Sequence, residues 1–380
     1  MAGLQALVDH LVMQGYVVIA PTVRSSAIVN APVTSVDELP RGWGDEQDAG
    51  RYRLRRRDDE ALFGYAAGAQ SAKPVFFPAE EVLWRGRRTS DGFAVDADSV
   101  EPGGGDPPPY ALLGVRSCDL SAVGIHDVVL TARVHVDVAY AARRAAAFVV
   151  AVTCSDPSGG CFCVSMGTGP RPEQGRGAPY DLSLTELLDG GPHRFVVEVA
   201  SDRGAELLDE IAAAPAPADD VAAGDRVAET AAARMGRTMD TDGLKDLLYA
   251  AADSPIWDDV ATRCLACGNC TAVCPTCFCT DVEDVTDLTG DVAGRTRVWD
   301  SCFDADYSFI HGGTVRASTK ARYRQWMTHK LASWVDQFGM SGCVGCGRCV
   351  TWCPAAIDLT AEAAALRAEA EQGEGQEEQP

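Results

Sequence analysis

Residues 264–275 read Cys264-Leu-Ala-Cys267-Gly-Asn-Cys270-Thr-Ala-Val-Cys274-Pro275, and residues 343–354 read Cys343-Val-Gly-Cys346-Gly-Arg-Cys349-Val-Thr-Trp-Cys353-Pro354. Both follow C-x2-C-x2-C-x3-C-P, a spacing that holds [4Fe–4S] clusters. Three cysteines two residues apart let one tight loop cover three corners of a cube. The fourth thiolate, just ahead of a proline, points away and reaches the neighbouring cluster. The expected ligand sets are therefore crossed. Cys264, Cys267, Cys270 and Cys353 hold one cluster, and Cys343, Cys346, Cys349 and Cys274 hold the other. Structural zinc sites also use C-x2-C pairs, but two complete runs, each closed by Cys-Pro, point to iron and sulfide.

Around these runs the chain has 380 residues, 46% of them apolar, which fits two or three ordinary packed domains. No apolar run approaches the roughly 18 residues of a membrane span. The opening stretch MAGLQALVDHLVMQGYVVIAP carries Asp9 and His10 and has no Lys or Arg ahead of its apolar part. It reads as a helix, a turn at Gly15 and a strand, not as a signal peptide. A net charge of −22 argues against nucleic acid as a partner. Eight of the fifteen cysteines fall in the two runs, and the others sit at close spacings. That usage fits a reducing compartment, where thiolates stay available for metal, and so the cytoplasm.

Residues 1–211 read as an α/β domain. Strand-like runs recur at Tyr16–Ala20, Pro74–Phe77, Tyr110–Val115, Ala147–Thr153 and Arg194–Val199. Helical stretches are expected at Arg56–Gly68, at Asp137–Arg144 with Asp137 as N-cap, and at Ala205–Ala214. The segment 101–109 is a Gly/Pro loop with prolines where a dinucleotide-binding helix would have to begin. There is no phosphate loop and no nucleophile elbow. Residues 212–255 read as a linker (Ala212–Gly224) followed by lead-in helices at Val227–Met235 and Leu244–Ala252. Residues 256–358 form an α+β, bacterial dicluster-ferredoxin-like domain, with a long insertion, 275–342, expected to be helical between the two runs. Residues 359–380 are an acidic tail, helical to Ala370 and disordered beyond.

The insertion is rich in aromatic residues, including Trp299, Phe303, Tyr323 and Trp326, which suit a small core and a water-excluding shell around clusters. Between Tyr307 and Val335 it carries Arg316, Lys320, Arg322, Arg324 and Lys330 and no carboxylate. Three readings fit: a docking face for an acidic partner, an offset to the cluster charge, or a solvated helix face.

Seven cysteines remain. Cys118 and Cys154 follow strand-like runs, and Cys161 and Cys163 lie in a Gly-rich loop. If the strands are parallel neighbours, the four thiols gather at the carboxyl edge of a sheet, where α/β proteins place ligands. They are candidate ligands of a third cluster, with zinc and inert buried thiols as rival readings. Cys277, Cys279 and Cys302 are one short of a closed tetrahedral set, and read as buried thiols or as a site completed by another donor such as His311.

With those residues in view, the chain resembles the beta (iron–sulfur) subunits of cytoplasmic, sulfhydrogenase-type [NiFe] hydrogenases, a family that includes the equivalent subunit of anaerobic sulfite reductase. The resemblance covers most of residues 110–356. It rests on Gly114-Val-Arg-Ser-Cys-Asp-Leu120, Cys161-Phe-Cys-Val-Ser-Met-Gly-Thr-Gly-Pro170, Cys274-Pro-Thr-Cys-Phe-Cys279, Trp299-Asp-Ser-Cys-Phe-Asp304, His311-Gly-Gly, Arg322-Tyr-Arg-Gln-Trp326 with His329-Lys330, and both cysteine runs. It implies an electron-carrying subunit that converts no substrate itself. Its implied partners are a flavin-containing, NAD(P)-linked reductase subunit with either a hydrogenase small subunit or a sulfite-reducing subunit. Neither nucleic acid nor membrane is implied. A reading of another class is a stand-alone thiol or iron–sulfur oxidoreductase.

Overall fold

The computed structural model describes residues 1–96 and 109–377. The loop expected at 101–109 lies, but for Pro109, outside them. Helix α1 (Ala2–Met13) buries Leu4, Leu7, Val8 and Leu11, one stripe at helical spacing. Gly15, at φ +86°, turns the chain into strand β1 (Val17–Arg24). A hairpin leads to β2 (Ala27–Pro32), and a second hairpin pairs β3 (Trp43–Asp48) with β4 (Arg51–Arg56).

Two expectations fail in the next stretch. The helix expected at Arg56–Gly68 is absent. The N–H groups of Leu62 and Phe63 instead donate to the Glu186 carboxylate, at 2.7 and 2.9 Å, so no helical ladder can use them. The strand expected at Pro74–Phe77 is the short helix α2 (Lys73–Phe76). A proline in the first turn has a suitable φ and lacks an N–H that would have no helical partner there.

After the hairpin β5 (Glu80–Thr89) and β6 (Gly92–Val95) come β7 (Tyr110–Arg116), α3 (Ser117–Leu130), α4 (Val138–Ala146), β8 (Phe148–Val152), β9 (Leu182–Leu187) and β10 (Arg194–Val199). Asp137 caps α4 by accepting the Tyr140 N–H at 2.9 Å. The main sheet has the order β10-β9-β8-β7-β1-β2. Its inner strands β1, β7, β8 and β9 are parallel, with antiparallel edges. β8 and β9 are buried along their whole length, as parallel strands covered on both faces must be. One face packs on α1 and on α5 (Asp202–Glu210) through Leu7, Leu11, Val150, Leu184 and Leu207. The other meets α2, α3 and α4 through Leu112, Val149, Phe76, Val123 and Tyr140.

Much of the expected linker is helical, because α6 spans Ala218–Ala233. α7 (Leu244–Ala250), α8 (Ile256–Arg263) and the short α9 (Asn269–Ala272) carry the chain into the first cysteine run. The insertion is not simply helical. It opens with a hairpin of β11 (Thr280–Thr286) and β12 (Val292–Trp299), then a two-residue ladder of β13 (Phe309–Ile310) and β14 (Gly313–Thr314). Only then come α10 (Thr319–Thr328), a π-helical turn at His329–Ser333, and α11 (Trp334–Phe338). β11 shows no period-two signal, since its apolar residues Val282 and Val285 are three apart, but Arg295 reaches across the hairpin to Asp284 at 2.6 Å.

β12 pairs with β5, so the N-terminal region and the insertion share one sheet, β11-β12-β5-β6. Glu81 on β5 binds both Arg143 of α4 and Arg297 of β12, and Arg297 also reaches Asp137 at 2.5 Å. The second run contains α12 (Arg348–Thr351), and α13 spans Leu359–Glu377, past the Ala370 end expected from sequence. Leu359, Ala363 and Leu366 of α13 join Trp257, Val260, Phe303, Tyr323 and Trp326 in the core beneath the first run.

Candidate metal centre

The two runs fold into matching loops. Ala266 and Gly268 in the first have φ of +50° and +71°, and Gly345 and Gly347 in the second have +65° and +74°. Each left-handed pair turns the backbone twice within five residues, so that three thiols face one side. At Gly345 glycine is required for a second reason: a Cβ there would meet the Phe162 carbonyl carbon at 2.7 Å. Backbone N–H groups point at the sulfurs. Ala266 donates to Cys264 Sγ at 3.4 Å, Gly345 to Cys343 Sγ at 3.5 Å, and Ile357 to Cys353 Sγ at 3.4 Å.

The structure brings cysteines of the two runs together. Cys264, Cys267 and Cys270 line one cavity together with Cys349 and Cys353 from the other run. Its open volume is about 460 Å³, and Phe303, Tyr323, Trp326, Ile357 and Leu359 wall it. Cys274 in turn has Cys343, Cys346 and Cys349 as electrostatic neighbours. Among the described residues no three His, Cys, Asp or Glu side chains are close enough to chelate a single metal ion. That applies equally to both runs, whose donor set of four thiols per loop pair suits a polynuclear cluster.

Charge supports the same fit. Lys330, on the π-helical turn, is buried, and its Nζ donates to Cys274 Sγ at 3.2 Å and to Thr276 Oγ1 at 2.9 Å. Among the described residues it has no carboxylate partner, and a buried ammonium needs an anion. Burial opposes its charge, yet Cys274, Cys277 and Cys343 hold its pKa well above the usual lysine value. A hydrogen bond from Cys277, with Lys330 beside it, holds the Cys274 thiol well below the usual range. Five thiols of the runs are pushed the opposite way: burial raises Cys264, Cys270, Cys346 and Cys349, and Cys343 to about 12. Those thiols stay protonated until metal displaces the proton.

Lys330 thus serves the offset role among the three readings of the basic stretch. Its neighbours do not form a free docking face. Lys320 pairs with Asp258 at 2.8 Å, Arg322 donates to the Phe303 and Arg316 carbonyls, Arg324 to the Ala252 carbonyl, and Arg316 to Ser308 Oγ.

The N-terminal thiols are drawn toward the second run. β7 and β8 are parallel neighbours, with Cys118 and Cys154 just past their carboxyl ends. Cys118 and Cys163 pack with Val344 and Cys346, and Cys161 Sγ lies 3.7 Å from the Cys346 carbonyl. Cys154 has Cys161 and Cys163 as electrostatic neighbours. The buried Arg116 has Cys154 and Cys118 among its electrostatic neighbours, and among the described residues its Nη1 has no hydrogen-bond partner. The same loop clamps the second run, with the Phe162 N–H donating to Gly345 O at 2.8 Å and Thr168 Oγ1 to Val344 O at 2.6 Å.

Sequence reasoning missed Arg348. Its side chain, 1% exposed, makes a two-pronged bond to Asp119, at 2.6 and 3.0 Å, and donates to the Gly68 and Gln70 carbonyls. It fixes the second cysteine loop to the N-terminal sheet. An arginine inside a ligand run was the available signal, but its partner lies 229 residues away.

The family model described as a 4Fe-4S dicluster domain matches residues 263–357. The chain is 32% identical over 329 residues to the Sulfhydrogenase 2 subunit beta of Pyrococcus furiosus, covering 84% of this chain and 90% of that protein. No solved structure matches the chain. Among the described residues no helix is long and apolar enough to cross a membrane.

Proposed function

We infer the function from one premise: the chain belongs to the sulfhydrogenase beta-subunit family, and it carries that family's 4Fe-4S dicluster domain. It is an iron–sulfur electron-transfer subunit. Within that role, it holds two [4Fe–4S] clusters on crossed sets, Cys264, Cys267, Cys270 with Cys353, and Cys343, Cys346, Cys349 with Cys274. The cavity that unites Cys353 with the first run is the observation that carries this assignment. The buried set Cys118, Cys154, Cys161 and Cys163 is the candidate for a third cluster, supported by the unpartnered Nη1 of Arg116 beside it.

Such clusters supply one-electron chemistry when bound. The chain's residues do the rest. Phe303, Tyr323 and Trp326 wall the first set against water. Backbone N–H groups and Lys330 Nζ donate to cysteine sulfurs, which favours the more reduced, more negative state. Cys267 is the one exposed thiol of the eight, and Leu265 beside it is 67% exposed. Electrons would enter or leave most directly at that edge.

The chain relays electrons from a flavin-containing, NAD(P)-linked reductase subunit to a [NiFe] hydrogenase small subunit, or in the reverse direction. It performs this role in the cytoplasm. Purification of the native complex without oxygen, with its subunits identified by mass, tests this. Nickel-site and small hydrogenase subunits and a flavoprotein are expected. A sirohaem-bearing partner would assign the chain to a sulfite reductase, and isolation of an active chain alone would contradict the relay role.

A further inference from the structure

Three cysteines outside both runs, Cys277, Cys279 and Cys302, lie beside the ligand sets rather than within them. The β11–β12 hairpin brings two of them together. Thr280 and Trp299 face each other at its base, and the Asp300 N–H donates to the Cys279 carbonyl at 2.9 Å. Cys279 and Cys302 therefore flank one hairpin base, and Cys277 precedes Cys279 by two residues. Cys279 is an electrostatic neighbour of both other thiols. The Tyr307 hydroxyl donates to Cys279 Sγ at 3.5 Å.

Buried thiols alone would be ordinary. What surrounds these is not. Lys73 is 5% exposed, with Nζ 3.3 Å from the Cys277 carbonyl and 3.7 Å from the centre of the Trp299 ring. Among the described residues no carboxylate pairs with it, and burial holds its pKa below the usual lysine value, so its charge is sustained only with an anion beside it. Two polar atoms close to these thiols are buried and, among the described residues, have no hydrogen-bond partner. They are Nε1 of Trp299, under Lys73, and Nε2 of His126, whose ring meets Phe278 between the first two thiols. An apolar packing site leaves these two nitrogen atoms unexplained. An anionic, sulfide-rich occupant answers the ammonium and offers acceptors to the N–H groups.

We propose that Cys277, Cys279 and Cys302 are the three thiolate ligands of an additional iron–sulfur cluster, either a three-iron cluster or a cubane whose last iron takes a non-cysteine donor. The site adjoins both ferredoxin-type sets through Cys277, whose S–H donates to Cys274 and would give up that proton on ligation, and through Cys302, an electrostatic neighbour of Cys270. The inference rests on the iron–sulfur reading of the two runs and is independent of the N-terminal thiols.

The test compares the whole chain, loaded with 57Fe in its native complex without oxygen, with the double variant Cys279→Ala/Cys302→Ala. The variant is expected to carry about three or four fewer irons per chain, with the Mössbauer and EPR signals of the ferredoxin-type clusters retained. Equal iron with unchanged spectra would overturn the proposal. Should the variant lose every cluster, alkylation mapping of the wild-type chain decides. Cys277, Cys279 and Cys302 are expected to be protected until iron is chelated, and labelling that does not change on chelation would overturn the proposal. A wild-type chain with no ferredoxin-type signals at all would instead refute the parent reading.

Discussion

Lys330 Nζ donates to Cys274 Sγ across 3.2 Å, a buried cation on a proposed cluster ligand. Removing that charge should destabilise the reduced, more negative state of the cluster on Cys343, Cys346, Cys349 and Cys274. A charge-assisted hydrogen bond is worth about 1.5–3 kcal/mol. At ~59 mV per tenfold change for a one-electron couple, Lys330→Met should lower that cluster's potential by on the order of 100 mV. An EPR-monitored redox titration measures it, and the cluster on the first run should move far less.

Cys353→Ser should disrupt the cluster built on Cys264, Cys267 and Cys270, although Cys353 belongs to the second run, because the cavity joins those four. Cys274→Ser should disrupt the other. EPR of each reduced variant shows which signal is lost, and the uncrossed pairing predicts the opposite result.

Arg348→Met should destabilise the chain through Asp119. The pair is buried on both sides, at 1% and 9% side-chain exposure, so the variant leaves an uncompensated carboxylate. The expected loss is about 3–5 kcal/mol, read as a drop in thermal midpoint. The second variant Arg348→Met/Asp119→Leu, which removes both charges, should recover part of it.

Iron loading of the cluster-free chain should strengthen as pH rises. Burial pushes the Cys343 thiol up to about 12 and also raises Cys346 and Cys349. Ligation must therefore displace protons, and each displaced proton favours loading about tenfold per pH unit below the thiol pKa. Reconstitution at pH near 8.5 should give more iron per chain than at pH near 7 at equal, limiting iron. Equal uptake would mean the thiols are already ionised.

The cysteine runs were legible because a cluster fixes both residue type and spacing within one loop. β7 and β8 were legible as strands from two continuous apolar runs, while their parallel pairing was a condition that the sheet order supplied. What the sequence hid depended on distant partners. Residues 56–68 resembled a helix until Glu186 took the N–H groups of Leu62 and Phe63. The β11–β12 hairpin was hidden because β11 lacks alternation and β12 pairs with β5, about two hundred residues earlier in the chain. Lys330 looked like one more surface cation among five, and only the π-helical turn directs it inward.

The central claim is that the thiols of two matching loops, exchanged between the runs, hold iron and sulfide. Iron and acid-labile sulfide determined per chain on protein grown and purified without oxygen, with EPR after dithionite reduction, tests it most directly. At least about eight irons with matching sulfide and signals from two reduced clusters are predicted. A colourless chain, fully folded yet free of iron and sulfide, would contradict it.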